Sequence, residues 1–333
     1  NELTMAISAT GSAGMETTVV NVIEPGDKML VCINGVFGMR MADVAERAGA
    51  EVLTVEKPWG EVFTVEDLQP IIKAEQPKVV GIVMAETSTG ACQPLEEISQ
   101  LVHANQGLLL VDAVTSLGGM NVEVDKWGID IIYSGSQKCL SCPPGLAPVS
   151  FSPAAVEVLN NRKTKVRSWY LDLSMLANYW SEDRVYHHTA PINMTYALYE
   201  ALRVILEEGL DNCFARHKRN HLALKAGLNA LGFEYTADPN NHLPMLNAVK
   251  IPEGVDDATI RSGLLNRFGI EIGGWLGAFK VQVWRIGIMG HAARQSNVLT
   301  FLAALEQLLA ENGYEFSAGS SIAAANAAFA HNE

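Results

Sequence analysis

The chain has 333 residues, more than a single hydrophobic core usually serves, so one large domain or two ordinary ones are expected. With 48% apolar and 18% charged residues, intrinsic disorder is excluded over most of the length. Lysine and arginine number 24 against 37 acids, and the net charge of −13 argues against a nucleic-acid or anionic-membrane surface as main partner.

Five cysteines are an ordinary thiol count, not a disulfide framework. No apolar run approaches the roughly 18–20 residues that span a bilayer, and Asn1-Glu2-Leu3 opens no signal-peptide pattern. The expectation is a soluble, acidic, cytoplasmic protein.

Leu3 to Ala9 forms an apolar run that ends at Thr10-Gly11-Ser12. Met15, Val19, Val20 and Ile23 then share one helical face, and Glu24-Pro25-Gly26 stops that helix. Met29–Ile33 is the next run, followed by a helix around Met41–Ala50 and a strand at Glu51–Val55. Thr64 caps a helix to about Glu75, and the run Val79–Met84 follows Pro77. A helix from Pro94 to Asn105 leads to Leu108–Val111, and Asp130–Tyr133 is a further short strand. Continuous apolar strands alternating with helices predict an α/β fold with a mostly parallel sheet, whose ligands bind beyond the carboxyl ends of the strands.

After about residue 190 the pattern changes. Leu198, Ala201, Leu202, Ile205 and Leu206 predict a long amphipathic helix, and Leu224, Leu228 and Leu231 another. Short elements follow: Leu246–Ile251, a helix near Ala258–Arg267, Gly269–Ile272, Val283–Met289, and a helix that buries Val298, Phe301, Leu302, Leu305 and Leu309. The expected organisation is a large domain over residues 1–210, a smaller α/β domain over 211–314, and a mobile Ser/Gly/Ala-rich tail over 315–333.

Three features at the strand ends carry chemistry together. Thr10-Gly11-Ser12 entering a helix suits an anion, although small polar residues also cap ordinary helices. Asp112 closes a buried strand, where a carboxylate is costly without a positive partner or a turn to cap. Lys138, after Ser134-Gly135-Ser136-Gln137, is a desolvated amine suited to Schiff-base chemistry or a lysine snorkelling to the rim. An anion cradle, a buried acid and an activatable lysine match the phosphate, pyridinium nitrogen and aldehyde of pyridoxal phosphate. Cys139 and Cys142 lack a second pair, and His187 and His188 do not share a face, so no metal site is expected.

Ser134-Gly135-Ser136-Gln137-Lys138 with Pro143-Pro144-Gly145, Asp112 to Gly119, and Tyr186-His187-His188-Thr189-Ala190-Pro191 resemble class V aminotransferases. The alanine–glyoxylate (serine–pyruvate, serine–glyoxylate) group is the nearest likeness, from about residue 5 to residue 312. The resemblance implies the type I fold of pyridoxal-phosphate enzymes, with a large mostly parallel sheet flanked by helices and a smaller C-terminal domain. It implies transfer of an amino group from alanine or serine to glyoxylate or pyruvate, with Lys138 carrying the cofactor as an internal aldimine and shuttling the proton. By the same likeness Asp112 holds the ring nitrogen, Val114 packs on the ring, and Phe37 stacks on it. Ser88 would bond the ring hydroxyl, and Thr10, Gly11, Ser12 and Gln137 the phosphate. Tyr186 and Thr189 would reach the phosphate of the neighbouring subunit in a homodimer. Arg285, in Val283-Trp284-Arg285-Ile286, would bind the substrate carboxylate. The family carries a further N-terminal segment, so this chain is expected to be a fragment or a form without that arm. Two other readings stand beside the transaminase: a lyase or desulfurase, for which no loop cysteine offers itself, and a truncated non-catalytic protein of the same fold.

Overall fold

The structure is a computed structural model and describes residues 1–274, 276–277 and 282–331. In chain order the first elements are β1 (Leu3–Ile7), α1 (Gly11–Val22), β2 (Lys28–Ile33), α2 (Val36–Ala48), β3 (Glu51–Glu56) and α3 (Val65–Glu75). They are followed by β4 (Val79–Val83), the two-residue strands β5 (Ala85–Glu86) and β6 (Ala91–Cys92), α4 (Glu96–Ala104), β7 (Leu108–Asp112) and β8 (Ile131–Tyr133). Then come β9 (Ala147–Phe151), α5 (Pro153–Asn160), α6 (Leu173–Trp180), α7 (Ile192–Glu208) and α8 (Leu210–Ala230). The chain closes with β10 (Leu246–Lys250), α9 (Asp257–Phe268), β11 (Val283–Gly287), α10 (Gln295–Glu311) and α11 (Ser320–His331).

Seven strands form one sheet in the order β1-β9-β8-β7-β4-β2-β3. Only β9 runs against its neighbours, β1 and β8; the other adjacent pairs are parallel. The expected mostly parallel α/β sheet is therefore present. Strands β4, β7 and β8 are buried at every residue, as apolar runs covered on both faces must be. One apolar core packs α1, α2, α5 and α6 against the sheet, and a second packs α3 and α4 on its other face. Thr64 begins α3 in a capping box with Asp67, as its position predicted.

A third core lies around α8, α9, α10, β10 and β11. Gly209, at φ +87°, separates α7 from α8. Gly269–Ile272 is not a strand; the pairing expected there shrinks to a single bridge between Gly273 and Arg285.

The segment expected to be a mobile tail is instead ordered as α11, which packs along α8. Ser321, Ala325 and Phe329 are buried in the third core. Glu306 of α10 holds the start of that helix by accepting from Gly319 N (2.9 Å), Ser321 N (2.9 Å) and Ser321 Oγ (2.6 Å). A short alanine-rich helix becomes stable here because tertiary contacts supply both its cap and its apolar partner.

Candidate active site

A cavity of about 200 Å³ opens at the carboxyl ends of the parallel strands. Gly11, Ser12 and Met15 of α1, Phe37 and Arg40 of α2, and Ala85 and Thr87 after β4 form part of its wall. Asp112, Val114, Thr115, Tyr133, Gln137 and Lys138 complete it. Seven of the predicted site residues are thus brought together: Gly11, Ser12, Phe37, Asp112, Val114, Gln137 and Lys138.

The anion end is built by backbone. Thr10 is extended before α1 and its side chain makes no cap bond. Ala13 and Gly14 donate to Thr10 O, while the N–H groups of Gly11 and Ser12 have no partner among the described residues. Gly11 sits so near Val114 that a Cβ would come 3.3 Å from Val114 Cγ2. Arg40 Nη1 donates to Ser12 Oγ (3.3 Å), and its guanidinium lies 5.0 Å from the Phe37 ring centroid. A free helix start, a hydroxyl and an arginine make a site for a phosphate-sized dianion.

Asp112 lies at the other end, 3% exposed. Its Oδ1 accepts from Val114 N (2.8 Å) and its Oδ2 from Tyr133 OH (2.6 Å). Parallel pairing sets Asp112 opposite Tyr133, so the sheet itself makes this contact. Burial pushes the acid up to about 6, because two donors offset only part of the lost hydration. Lys138 is half-buried, and its amine is held below the ordinary lysine range first by burial and then by the charge of Arg285. The loop holding the lysine is pinned on both sides: Ser134 Oγ donates to Ala113 O (3.0 Å) and Ser136 Oγ to Pro143 O (2.7 Å). Cys139 Sγ donates to Thr115 O (3.2 Å), so Cys139 packs beside the lysine.

Arg285 stands on β11 beside this cavity. Its Nε donates to Gly274 O (2.9 Å), leaving its terminal nitrogens without a hydrogen bond among the described residues. Ser88, expected at the ring hydroxyl, is not among the residues that line the cavity. Ser88 Oγ donates to Glu86 Oε1 (2.6 Å) and accepts from Val36 N (3.0 Å), while its neighbour Thr87 lines the cavity. Glu86, fully buried, also accepts from Phe37 N (3.0 Å) and Ser88 N (3.0 Å). Glu86 and Ser88 therefore cap α2 from another strand, since Gly35 before that helix has no side chain to do so. Tyr186 and Thr189 do not line this chain's cavity; their hydroxyls are 3.3 Å apart on the surface, with Tyr186 75% exposed.

Arg40 and Thr87 escaped the sequence reading. Arg40 was hidden because α2 was expected to begin near Met41; with a start at Val36, Phe37 and Arg40 fall at i and i+3 on one face. No group of acids, cysteines and histidines among the described residues could hold a metal.

The donor set fits one kind of group: a phosphate at α1, an aromatic ring between Phe37 and Val114, a ring nitrogen at Asp112 and a carbonyl carbon at Lys138. Fold and site together define an α/β enzyme built to use pyridoxal phosphate. The chain belongs to the class-V aminotransferases, whose family model matches residues 2–282. Its cofactor is accordingly pyridoxal 5′-phosphate, and its reaction is transamination. An alanine–glyoxylate aminotransferase from Nostoc sp., solved by crystallography, is 49% identical with a TM-score of 0.91, over 93% of this chain and 82% of that one. The ureidoglycine–glyoxylate aminotransferase of Bacillus subtilis is 42% identical with a TM-score of 0.97, over 99% and 85%. The alanine–glyoxylate aminotransferase of Callithrix jacchus is 42% identical over 93% of this chain and 76% of its own.

Proposed function

We propose that the chain moves an amino group from a small amino acid to glyoxylate, with Lys138 as cofactor anchor and proton carrier. The observation that carries this reading is the meeting of a desolvated lysine and a buried aspartate in one cavity at the strand ends. When bound, the cofactor supplies an electron sink for the carbanion formed at the substrate α-carbon. Lys138 Nζ, disfavoured in its charged form by burial, would take up and carry the substrate α-proton, for which the bound cofactor would supply the receiving carbon across the intervening nitrogen. Asp112 keeps a proton on the ring nitrogen, and Tyr133 and Val114 fix both its oxygens for that contact. Gly11, Ser12, Arg40 and Gln137 hold the phosphate, with Thr10 at the helix cap beside them. Thr87 takes the ring-hydroxyl role first expected of Ser88. Arg285 binds the substrate carboxylate through its two terminal nitrogens.

Glyoxylate as acceptor is supported by the names of the three relatives. They divide over the donor, alanine or ureidoglycine; serine remains the donor of the other expected half-reaction and pyruvate its alternative acceptor. All five cysteines are free and four are buried, which suits a reducing compartment such as the cytoplasm and gives no exposed loop thiol for desulfuration. Among the described residues no helix is long and apolar enough to cross a membrane. The homodimer belongs to this reading too: Ile192, Tyr196, Tyr199 and Leu206 leave an apolar stripe exposed on α7, near Tyr186 and Thr189. A solution mass equal to one chain at micromolar concentration would remove that part.

The test is the absorbance of purified protein loaded with pyridoxal phosphate, before and after L-alanine and then L-serine, with glyoxylate present to regenerate the starting spectrum. Conversion to the pyridoxamine spectrum by either donor, absent in Lys138→Ala, is the expected result. Turnover that survives in Lys138→Ala overturns the assignment.

A further inference from the structure

A second and larger cavity, about 670 Å³, lies away from the strand-end site, between the sheet side of the molecule and α8. Such a volume is ample for a small organic ligand. One small apolar cluster, containing Ala85, Cys139 and Met245 with Cys92 and Met120 against it, separates the two cavities. The wall on the sheet side is mainly apolar: Met84, Leu95, Met120 and Trp127. The basic groups come from α8, where Lys218, His221 and Lys225 stand at i, i+3 and i+7 and so share one face, while Gln93, Glu96, Asn121, Asn240, Asn241 and His242 add polar groups from elsewhere on the wall.

The hydrogen-bonding state of His221 is fixed by its neighbours. The ring is 5% exposed, and its Nδ1 donates to Asn247 Oδ1 (2.7 Å). The same oxygen accepts from Tyr235 OH (2.7 Å), while Asn247 Nδ2 donates to Ile286 O (3.4 Å), which sets the orientation of the amide. Nε2 is therefore a lone pair, and it has no partner among the described residues. Burial pulls this imidazole down to about 4, so it stays neutral and accepting at cellular pH.

Lys225 is anchored but not neutralised. His242 donates from Nε2 to Ala237 O (3.1 Å), so its Nδ1 accepts from Lys225 Nζ (3.1 Å). The ammonium also lies 5.7 Å from the Tyr235 ring centroid. Neither Lys225 nor Lys218 has a carboxylate partner among the described residues, in a chain whose acids outnumber its basic residues 37 to 24. Glu96 is the acid on the cavity wall.

We propose that this cavity binds an aromatic carboxylate carrying one N–H or O–H donor. The carboxylate lies between Lys218 and Lys225, the ring packs against Met120, Trp127 and Phe214, and the donor meets His221 Nε2. The ligand touches α8 on one side and residues 92–96 and 119–127 on the other, so it bridges the third core and the sheet.

The probe is indole-3-acetate, titrated by calorimetry into the cofactor-loaded protein. Saturable one-to-one binding is expected, about tenfold weaker in Lys225→Met and in Lys218→Met, since a charge-assisted bond is worth about that factor. Indole-3-acetamide, which lacks the charge, and 1-methylindole-3-acetate, which lacks the donor, should each bind more weakly than the parent. Both lysine variants should keep the wild-type unfolding temperature and transaminase rate, which shows that they fold. Three results would overturn the proposal: no saturable heat at millimolar probe, affinity unchanged in both lysine variants, or affinity lost in Arg285→Ala instead, which would put the probe in the substrate site.

Discussion

Asp112→Asn separates the stability of the empty site from its ability to hold a cofactor. In the cofactor-free chain the aspartate sits at about 6 rather than its ordinary 3.8, a displacement worth about 3 kcal/mol. The sign follows from proton binding: the folded state holds the proton more tightly than the unfolded state. The stability this provides is full below about pH 4 and is lost as the pH rises to about 6. Asparagine has no proton to lose, but its one oxygen cannot accept fully from both Val114 N and Tyr133 OH, at a cost of about 1 kcal/mol. Without cofactor, the variant should therefore be about 1 kcal/mol less stable than wild type near pH 4 and about 2 kcal/mol more stable near pH 7. Urea unfolding of both proteins after cofactor removal, at a series of pH values, measures the difference directly. With pyridoxal phosphate present the order at neutral pH should reverse, because the wild-type carboxylate then has a cationic partner. A difference that stays constant across the acid range would show that Asp112 is not the strained acid described here.

Gly35→Ala places a Cβ 2.3 Å from Glu86 Cδ and 2.5 Å from Ser88 Oγ, the two groups that cap α2. Overpacking there should cost about 1–3 kcal/mol and loosen the cofactor; an unfolding midpoint equal to wild type would dismiss the cap. Thr87→Ala should weaken pyridoxal-phosphate affinity about fivefold, one hydrogen bond's worth, with little change in stability. Ser88→Ala should instead cost about 1–3 kcal/mol of stability by stranding Val36 N, and the opposite pattern in a paired titration would return the ring-hydroxyl role to Ser88. Phe329→Ala, which empties a buried position of α11, should cost about 3–5 kcal/mol in chemical unfolding. A loss below about 1 kcal/mol would mean that the last helix is not part of the core.

The sheet was legible where strands are buried on both faces, because Val79–Val83 and Leu108–Asp112 then have no polar alternation to blur them. Strand β9 was not legible: Pro148 sits in its middle, where a missing N–H argues against a strand. It pairs nonetheless, since Pro148 O still accepts from Ser134 N (2.8 Å). Helix α11 was hidden for a different reason. Its cap, Glu306, and its packing partner, α8, are both remote in sequence, so its own composition reads as a loose tail. In the site, residue type identified Lys138 and Asp112, but Thr87 and Ser88 are adjacent hydroxyls. Only the demand of Glu86 for donors decides which of them turns inward.

That demand also explains how two buried carboxylates share one neighbourhood without sharing a role. Burial raises both Glu86 and Asp112, and the charge of Asp112 adds to the cost at Glu86. Glu86 is satisfied by three donors, Phe37 N, Ser88 N and Ser88 Oγ, and lies behind the cavity wall. Asp112 has two donors and faces the cavity. A cation arriving there therefore gains more from Asp112, whose charge is the less compensated, while Glu86 holds α2 and with it Phe37 and Arg40. The division places the stabilising acid on β5, just beyond β4, and the cavity-facing acid at the end of β7, the parallel neighbour of β4, with Gly35 as the residue whose missing side chain leaves room for the first. Replacing either acid by its amide should then give different phenotypes: lost stability and a displaced ring wall for Glu86, lost cofactor polarisation for Asp112.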